Sequence, residues 1–555
     1  MKTQKQPQRR RSVWWAFLAL FCLASAVRGA TDAKEGITGK DEMLTVDLPP
    51  LIVLENKPGA RWLYVAFPGV EILSVCSEET TLRFAEIYRA QRELMRLVVP
   101  DEFLPTFSVP ELVILFDQRN GRAMPAELKE KANSLEPVEI SRPTDFSLNA
   151  LSERALRIRV LPNLMVSSLD SIASCADLST IAVSYNWTGW ERAFRLGEGY
   201  LRTVLSRRRP ALPEWYVNGA VELLRTAEAK GDGLLLWQAD WAFRDEKGRP
   251  ITGRRRGKDD PRAHVITPLP VLFQKPAEGS TAYSGFDDAT LRANQALFIR
   301  WAIDGKAPAR RAELAELVKR SMRELVTEEM LKTCFGLSAD QIRRQLEGYL
   351  PLATRRQTLL RKPGLGATNL LRAREATPLE IGRIMGDWQR LEATQLAELP
   401  KYRVRYLDAA SKAVAKLQKT GESDARLLAV SGLIELERGN TSEARMWLEC
   451  AFSQDRGASL RPAAGLALAQ LRLSEALAQS AHLELTGVRL SAETVENVLE
   501  PVLAVVGKPP ASAEMYAFVQ AVLSRCDAAP PKEVRAVLAQ GHFLFDAPPM
   551  ASQIR

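Results

Sequence analysis

The sequence predicts an α+β protein: an α/β lead-in, a mixed domain of helices and a few strands, and then an all-α domain. Three observations predict it. Apolar runs of strand length alternate with stretches of helical spacing between residues 61 and 187. A stretch carrying Pro363, Gly364 and Gly366 separates that half from the next. From Thr377 to about residue 543 the chain is Ala/Leu-rich with helical periodicity and no strand pattern.

Residues 1–26 read as a signal peptide. Lys2, Lys5 and Arg9 to Arg11 form a basic start, VWWAFLALFCLA (13–24) an apolar core of 12 residues, and Ala24-Ser25-Ala26 a small-residue cleavage region. Twelve apolar residues are too few for a comfortable membrane span, so no stable span is expected after cleavage. The expected location is periplasmic or extracellular.

Cleavage changes the charge argument. Residues 1–26 hold five Lys or Arg and no acid, so the 76 basic residues fall to 71 against 67 acids, a formal net of +4. Most of the basicity is the signal's own, and no nucleic-acid partner is expected. The triplets Arg207 to Arg209 and Arg254 to Arg256 read as solvated basic loops. Cys76, Cys175, Cys334, Cys450 and Cys526 are odd in number, far apart and without CxxC spacing, which signals neither a disulfide framework nor a thiolate metal site.

Residues 27–58 are a polar lead-in linker, and 59–135 an N-terminal α/β subdomain. In it RWLYVAFPGVEILSVCS (61–77) is β-rich around a Pro68-Gly69 turn, TLRFAEIYRAQRELMRLV (81–98) has helical spacing, and ELVILFD (111–117) has the length of a buried strand. Residues 136–352 form the mixed domain. RALRIRVLP (154–162) and STIAVSYNW (179–187) are strand candidates, followed by a helix over 189–205 and a second helix from Pro213. Residues 244–285, rich in Arg, Gly, Pro and Asp, read as a long surface excursion, and helices resume at LRANQALFIRWAID (291–304).

Residues 353–376 read as a linker and 377–545 as the all-α domain. Thr377-Pro378-Leu379-Glu380 has the form of a capping box with Pro at the first helical position. In DARLLAVSGLIELERGNTSEARMWLECAFSQD (424–455), Leu428, Gly432, Gly439, Ala444, Leu448 and Ala451 hold the small and apolar positions of a close helix pair. This unit resembles a tetratricopeptide repeat, and RPAAGLALAQLRLSEAL (461–477) resembles the first helix of an imperfect next one. The resemblance implies a helical-repeat (TPR-like) domain with a concave surface for peptides or partner proteins.

One stretch carries the functional question. LGEGYLRTVLSRRRPALPEWYVNGAVELL (196–224) is a helix, a basic linker and a second helix opening with Pro-x-Trp. In an HExxH motif, helical residues at i and i+4 let two imidazoles grip one Zn²⁺ while the Glu between them acts as general base. The stretch resembles a gluzincin-type, peptidase MA-like domain. In that resemblance Glu198 holds the general-base position, and Pro213, Trp215, Gly219, Ala220 and Glu222 follow the second-helix pattern. FGLSADQIRRQLEGYL (335–350) resembles the closing helix of such domains, so the likeness covers roughly residues 60 to 352.

The departures fall where the chemistry would be. Gly197 and Leu201 stand at the two histidine positions and Asn218 at the glutamate ligand. Glycine has no side chain, leucine no lone pair, and a neutral amide is a poor zinc donor. The chain has only three histidines, His264, His482 and His542, and none precedes residue 264. Trp190, Ala193, Phe194, Gly197, Leu201, Val204 and Leu205 share one apolar face, and Glu198 and Arg202 are spaced for an i,i+4 ion pair. Glu198 therefore reads as an ion-pair partner or a relic of the base.

These residues imply an exported non-catalytic pseudopeptidase, with no metal and no cofactor, that binds a peptide or protein. Trp215, Tyr216, Asn218 and Glu222 would line the old groove. The alternative is a hydrolase with an unrecognised or rebuilt site around Glu198 and Glu222, recruiting His264 as a ligand or Asp240 as a further carboxylate. A purely architectural role is the third reading.

Overall fold

The architecture follows from a strand run that is apolar on both faces and therefore needs cover on both. The computed structural model describes residues 61–116, 164–167, 172–177, 196, 198–225, 227–230, 233–237, 239, 266–274, 288–304, 308–361, 371–397, 399–421, 423–455, 457–480, 489–509, 511–526 and 531–545. The stretches read as a signal peptide (1–26) and as a lead-in linker (27–58) lie outside these, and everything below belongs to the unit Pro50–Arg555. It is mixed α+β, mostly helical with a small sheet. Among the described residues no helix is long and apolar enough to cross a membrane.

β1 (Leu63–Phe67) turns through Pro68-Gly69 into antiparallel β2 (Val70–Ser74), and Gly69 takes the left-handed φ of 77° that the turn requires. Helix α1 (Glu78–Met95), capped by Ser77, carries the chain to β3 (Glu111–Phe116), which lies parallel to β2. β5 (Ile172–Asp177) is parallel to β3, β4 (Leu164–Ser167) antiparallel to β5, and β9 (Arg374–Glu375) pairs with β1. The order is β4-β5-β3-β2-β1-β9. The strand candidates at 154–162 and 179–187 lie outside the described residues; β4 and β5, which the sequence reading did not single out, fall between them.

Alternation along β2 and β3 explains the two covers. Ile72, Val113 and Leu115 meet Phe84, Ala85 and Tyr88 of α1 on one face. Leu73, Leu112 and Ile114 meet Ile384, Met385, Trp388 and Leu391 of α9 (Pro378–Gln395) on the other. A sheet covered on both faces reads as a continuous apolar run, as ELVILF does. Glu71 has the same parity as Leu73, so its carboxylate points into the α9 side.

The mixed region builds the largest core. α2 (Glu198–Ser206), α3 (Glu214–Arg225), α5 (Asp288–Ile303), α6 (Pro308–Ser321), α7 (Glu328–Phe335) and α8 (Ala339–Arg355) contribute to it. Gly219 brings α3 close to α5, since a Cβ there would lie 2.7 Å from the Gln295 carbonyl carbon. The expected surface excursion needs one correction: within it Leu269 and Leu272 of the short α4 (Leu269–Leu272) are buried, and Gln295 Nε2 donates to the Leu272 carbonyl at 3.0 Å. A second sheet of β6 (Ala227–Lys230), β7 (Gly233–Leu236) and β8 (Thr358–Arg361) is antiparallel. β8 and β9 both come from 353–376, so the stretch read as a linker supplies one strand to each sheet.

After α9 come α10 (Pro400–Thr420), α11 (Ala425–Arg438), α12 (Thr441–Asp455), α13 (Pro462–Ser480), α14 (Ala492–Leu503), α15 (Ala513–Leu523) and α16 (Lys532–Phe545). Thr377 and Glu380 make the capping box reciprocally. Gly439 ends α11 at φ 86°, and a Cβ on Gly432 would come within 2.5 Å of Leu448 Cγ, so α11 and α12 meet where the small residues allow it. Consecutive helices pack throughout this part.

Candidate functional site

The α2–α3 pair places the residues singled out in the sequence. Leu201 is fully buried beside Leu205, Trp215 and Tyr216 in the large core. Arg202 donates from Nε to Glu198 Oε1 at 2.8 Å and from Nη1 to Asn218 Oδ1 at 2.7 Å. One guanidinium therefore bridges Glu198 and Asn218, the residues that the sequence reading compared with a general base and a ligand. Arg292 stands 3.5 Å from the same Glu198 oxygen. Glu222 is buried and paired with Arg225 at 2.8 Å. Gly197, His264 and Asp240 lie outside the described residues.

The donor set does not suit zinc. Leu201 has no lone pair, and the Asn218 oxygen already accepts from a cation. Among the described residues no three or more His, Cys, Asp or Glu gather as a metal would need.

Trp215 and Tyr216 do not line a groove, and the expectation that they would is corrected. Trp215 packs edge-on against Phe273 and Phe298, with centroids at 5.0 and 5.8 Å, and the buried Tyr216 hydroxyl donates to the Val98 carbonyl at 3.2 Å. The aromatic core outcompetes a surface role because each ring buries a large apolar area. Asn218 and Glu222 are buried too, each held by an arginine.

α2 also reaches the first sheet. Tyr200 donates to Glu111 Oε2 at 3.0 Å, Tyr88 donates to Oε1, and Arg92 stands 3.8 Å away. Burial pushes the Glu111 carboxyl above its ordinary range, against the pull of Arg92 and both hydroxyls. Burial and the Glu111 charge likewise raise both tyrosines.

A second polar assembly lies on the α9 face of the sheet. Glu71 accepts from Arg383 Nη2 at 3.1 Å, from Arg426 at 3.0 and 2.9 Å, and from the Tyr64 hydroxyl at 2.9 Å. Asp387 accepts from Arg390 Nε and Nη2 at 3.0 and 2.8 Å and from Arg461 Nη1 at 2.6 Å. Burial opposes ionisation of both acids, yet the arginines outweigh it. Glu71 is held below its ordinary range chiefly by Arg426 and Arg383, and Asp387 by Arg461 and Arg390.

Sequence reasoning missed this set. Two of its members in direct contact, Glu71 and Arg426, are 355 positions apart, so no local motif joins them. One signal was present: Glu71 sits inside the apolar strand VEILS, and Arg383, Asp387 and Arg390 interrupt a helix otherwise rich in Ile, Met, Trp and Leu. No family model matches the chain, and no curated protein or solved structure matches it.

Proposed function

We propose that this is an exported, non-catalytic protein with a gluzincin-like domain and a TPR-like helical domain, and that it works by binding a peptide or protein. The observation that carries this reading is the Arg202 bridge. A fixed guanidinium between Glu198 and Asn218 repels a divalent cation and occupies the groups one would need. Without a metal to acidify water, Glu198 has no activated nucleophile to generate. The successive helix pairs after α9 supply the protein-binding surface in this reading, in keeping with helical-repeat arrays.

Zinc per mole of purified chain, measured by elemental mass spectrometry after dialysis against a weak chelator, tests it. The expected content is far below one per chain, with no turnover of a mixed fluorogenic peptide library. Stoichiometric zinc, or turnover abolished by Glu198→Gln or Glu222→Gln, overturns it in favour of a rebuilt hydrolase.

A further inference from the structure

The arginines on the α9 face wall a cavity of 470 Å³, between the start of β3, α9, α11 and the 458–461 loop. That is within the range of small-molecule sites, about 300–1,000 Å³. Its charged wall is unbalanced among the described residues. Arg383, Arg426, Arg461 and Lys508 face Glu71 and Asp387, a surplus of two positive charges, of which Arg426 and Lys508 are partly exposed. With Arg390 behind Asp387, three buried arginines meet two buried acids. A buried cation without an anion of its own is costly.

A further observation points to a ligand. Arg383 is only 6% exposed, and its Nε is buried with no hydrogen-bond partner among the described residues. Lys508 donates to the carbonyls of Gly457, Ala458 and Leu460 at 2.8, 2.7 and 2.8 Å. Those three bonds account for an ammonium's three donors, so Lys508 holds the loop wall in place and contributes its field. Apart from Ser108 and Ser459 the rest of the lining is aliphatic, including Leu112, Ile384, Val430 and Leu460, and no aromatic ring is among the described lining residues. A flat aromatic or nucleobase ligand would find no stacking partner there.

We propose that this cavity binds a small dianion with an aliphatic body, a dicarboxylate or an alkyl phosphate, headed towards Arg383 and Arg426. The proposal is independent of the reading of the α2–α3 site. Isothermal titration of the full chain at constant ionic strength, with adipate, butyl phosphate, inorganic phosphate and the neutral adipamide, tests it. The expected result is saturable binding of adipate or butyl phosphate, whichever carries the right head, and none of adipamide.

Arg426→Gln leaves Glu71 paired with Arg383 and Tyr64, and weakens binding by about ten-fold or more, the loss of a charge-assisted bond. Ser459→Trp, at an exposed position on the cavity's edge, abolishes binding without removing a charge. Thermal melts of both variants without ligand check that they fold. Binding by none of the probes, binding unchanged in both folded variants, or inorganic phosphate matching butyl phosphate overturns the proposal.

Discussion

Two of the places where arginines meet carboxylates use them to opposite ends. Between α2 and α3 one guanidinium closes a gap: Arg202 ties Glu198 to Asn218 at a half-open surface, with Arg292 beside the same carboxylate. Between the sheet and α9 the arginines outnumber the acids, all but Arg426 among them are buried, and a 470 Å³ space remains beside them. Bridging a carboxylate is thus no mark of a site. A site needs space beside the charge.

The largest effect belongs to the buried side of the comparison. Asp387→Ala takes the carboxylate from Arg390 and Arg461, both under 8% exposed, and removing one partner of a buried pair costs about 3–5 kcal/mol. Urea unfolding of the variant is expected to show that loss. A cost below about 1 kcal/mol would show that the network behaves like a surface pair and would remove the contrast with Arg202.

The second effect separates two kinds of buried acid by pH. Glu71 and Asp387 have folded-state pKa values depressed by arginines, so their contribution is present above the ordinary carboxylate range and is lost as pH falls through the folded values. Glu111, raised by burial, runs the other way: its contribution is complete below about 4, the ordinary Glu value, and is lost as pH rises through the folded value. Glu111→Gln keeps acceptor capacity for Tyr88 and Tyr200 but carries no charge. Its stability relative to the parent is expected to improve steadily as pH climbs from 4, read from urea melts at successive pH values. A difference that stays flat with pH would mean that Arg92 fully compensates the charge.

How much of this was legible in the sequence depended on distance along the chain. The Thr377 capping box, the Gly439 terminus and the small-residue seam at Gly432 are local, and the structure shows each where the residues put it. The Glu198–Arg202 pair is local as well, since i,i+4 spacing fixes it. The second bond of Arg202, to Asn218 on the next helix, is not, because the angle between two helices is set by packing around Trp215 and Phe298. Trp215 and Tyr216 misled for that reason: a pattern names their helix but not which of its faces the core takes. The Glu71–Arg426 contact, across 355 positions, needs the whole chain folded before it exists.

The smallest effect tests the closed side of the comparison. Arg202 and Glu198 are 32% and 26% exposed, so water screens their attraction, and pairs of that kind are worth about 0–1 kcal/mol. Arg202→Ala also leaves Glu198 within reach of Arg292, but takes the donor from the buried Asn218 oxygen. The expected cost is therefore about 1–2 kcal/mol in urea melts, less than for Asp387→Ala. The same variant should take up no zinc, because removing the plug restores neither a lone pair at Leu201 nor a side chain at Gly197. If it binds zinc tightly, the guanidinium was masking a competent site, and the α2–α3 pair is a gated metal centre rather than a closed one.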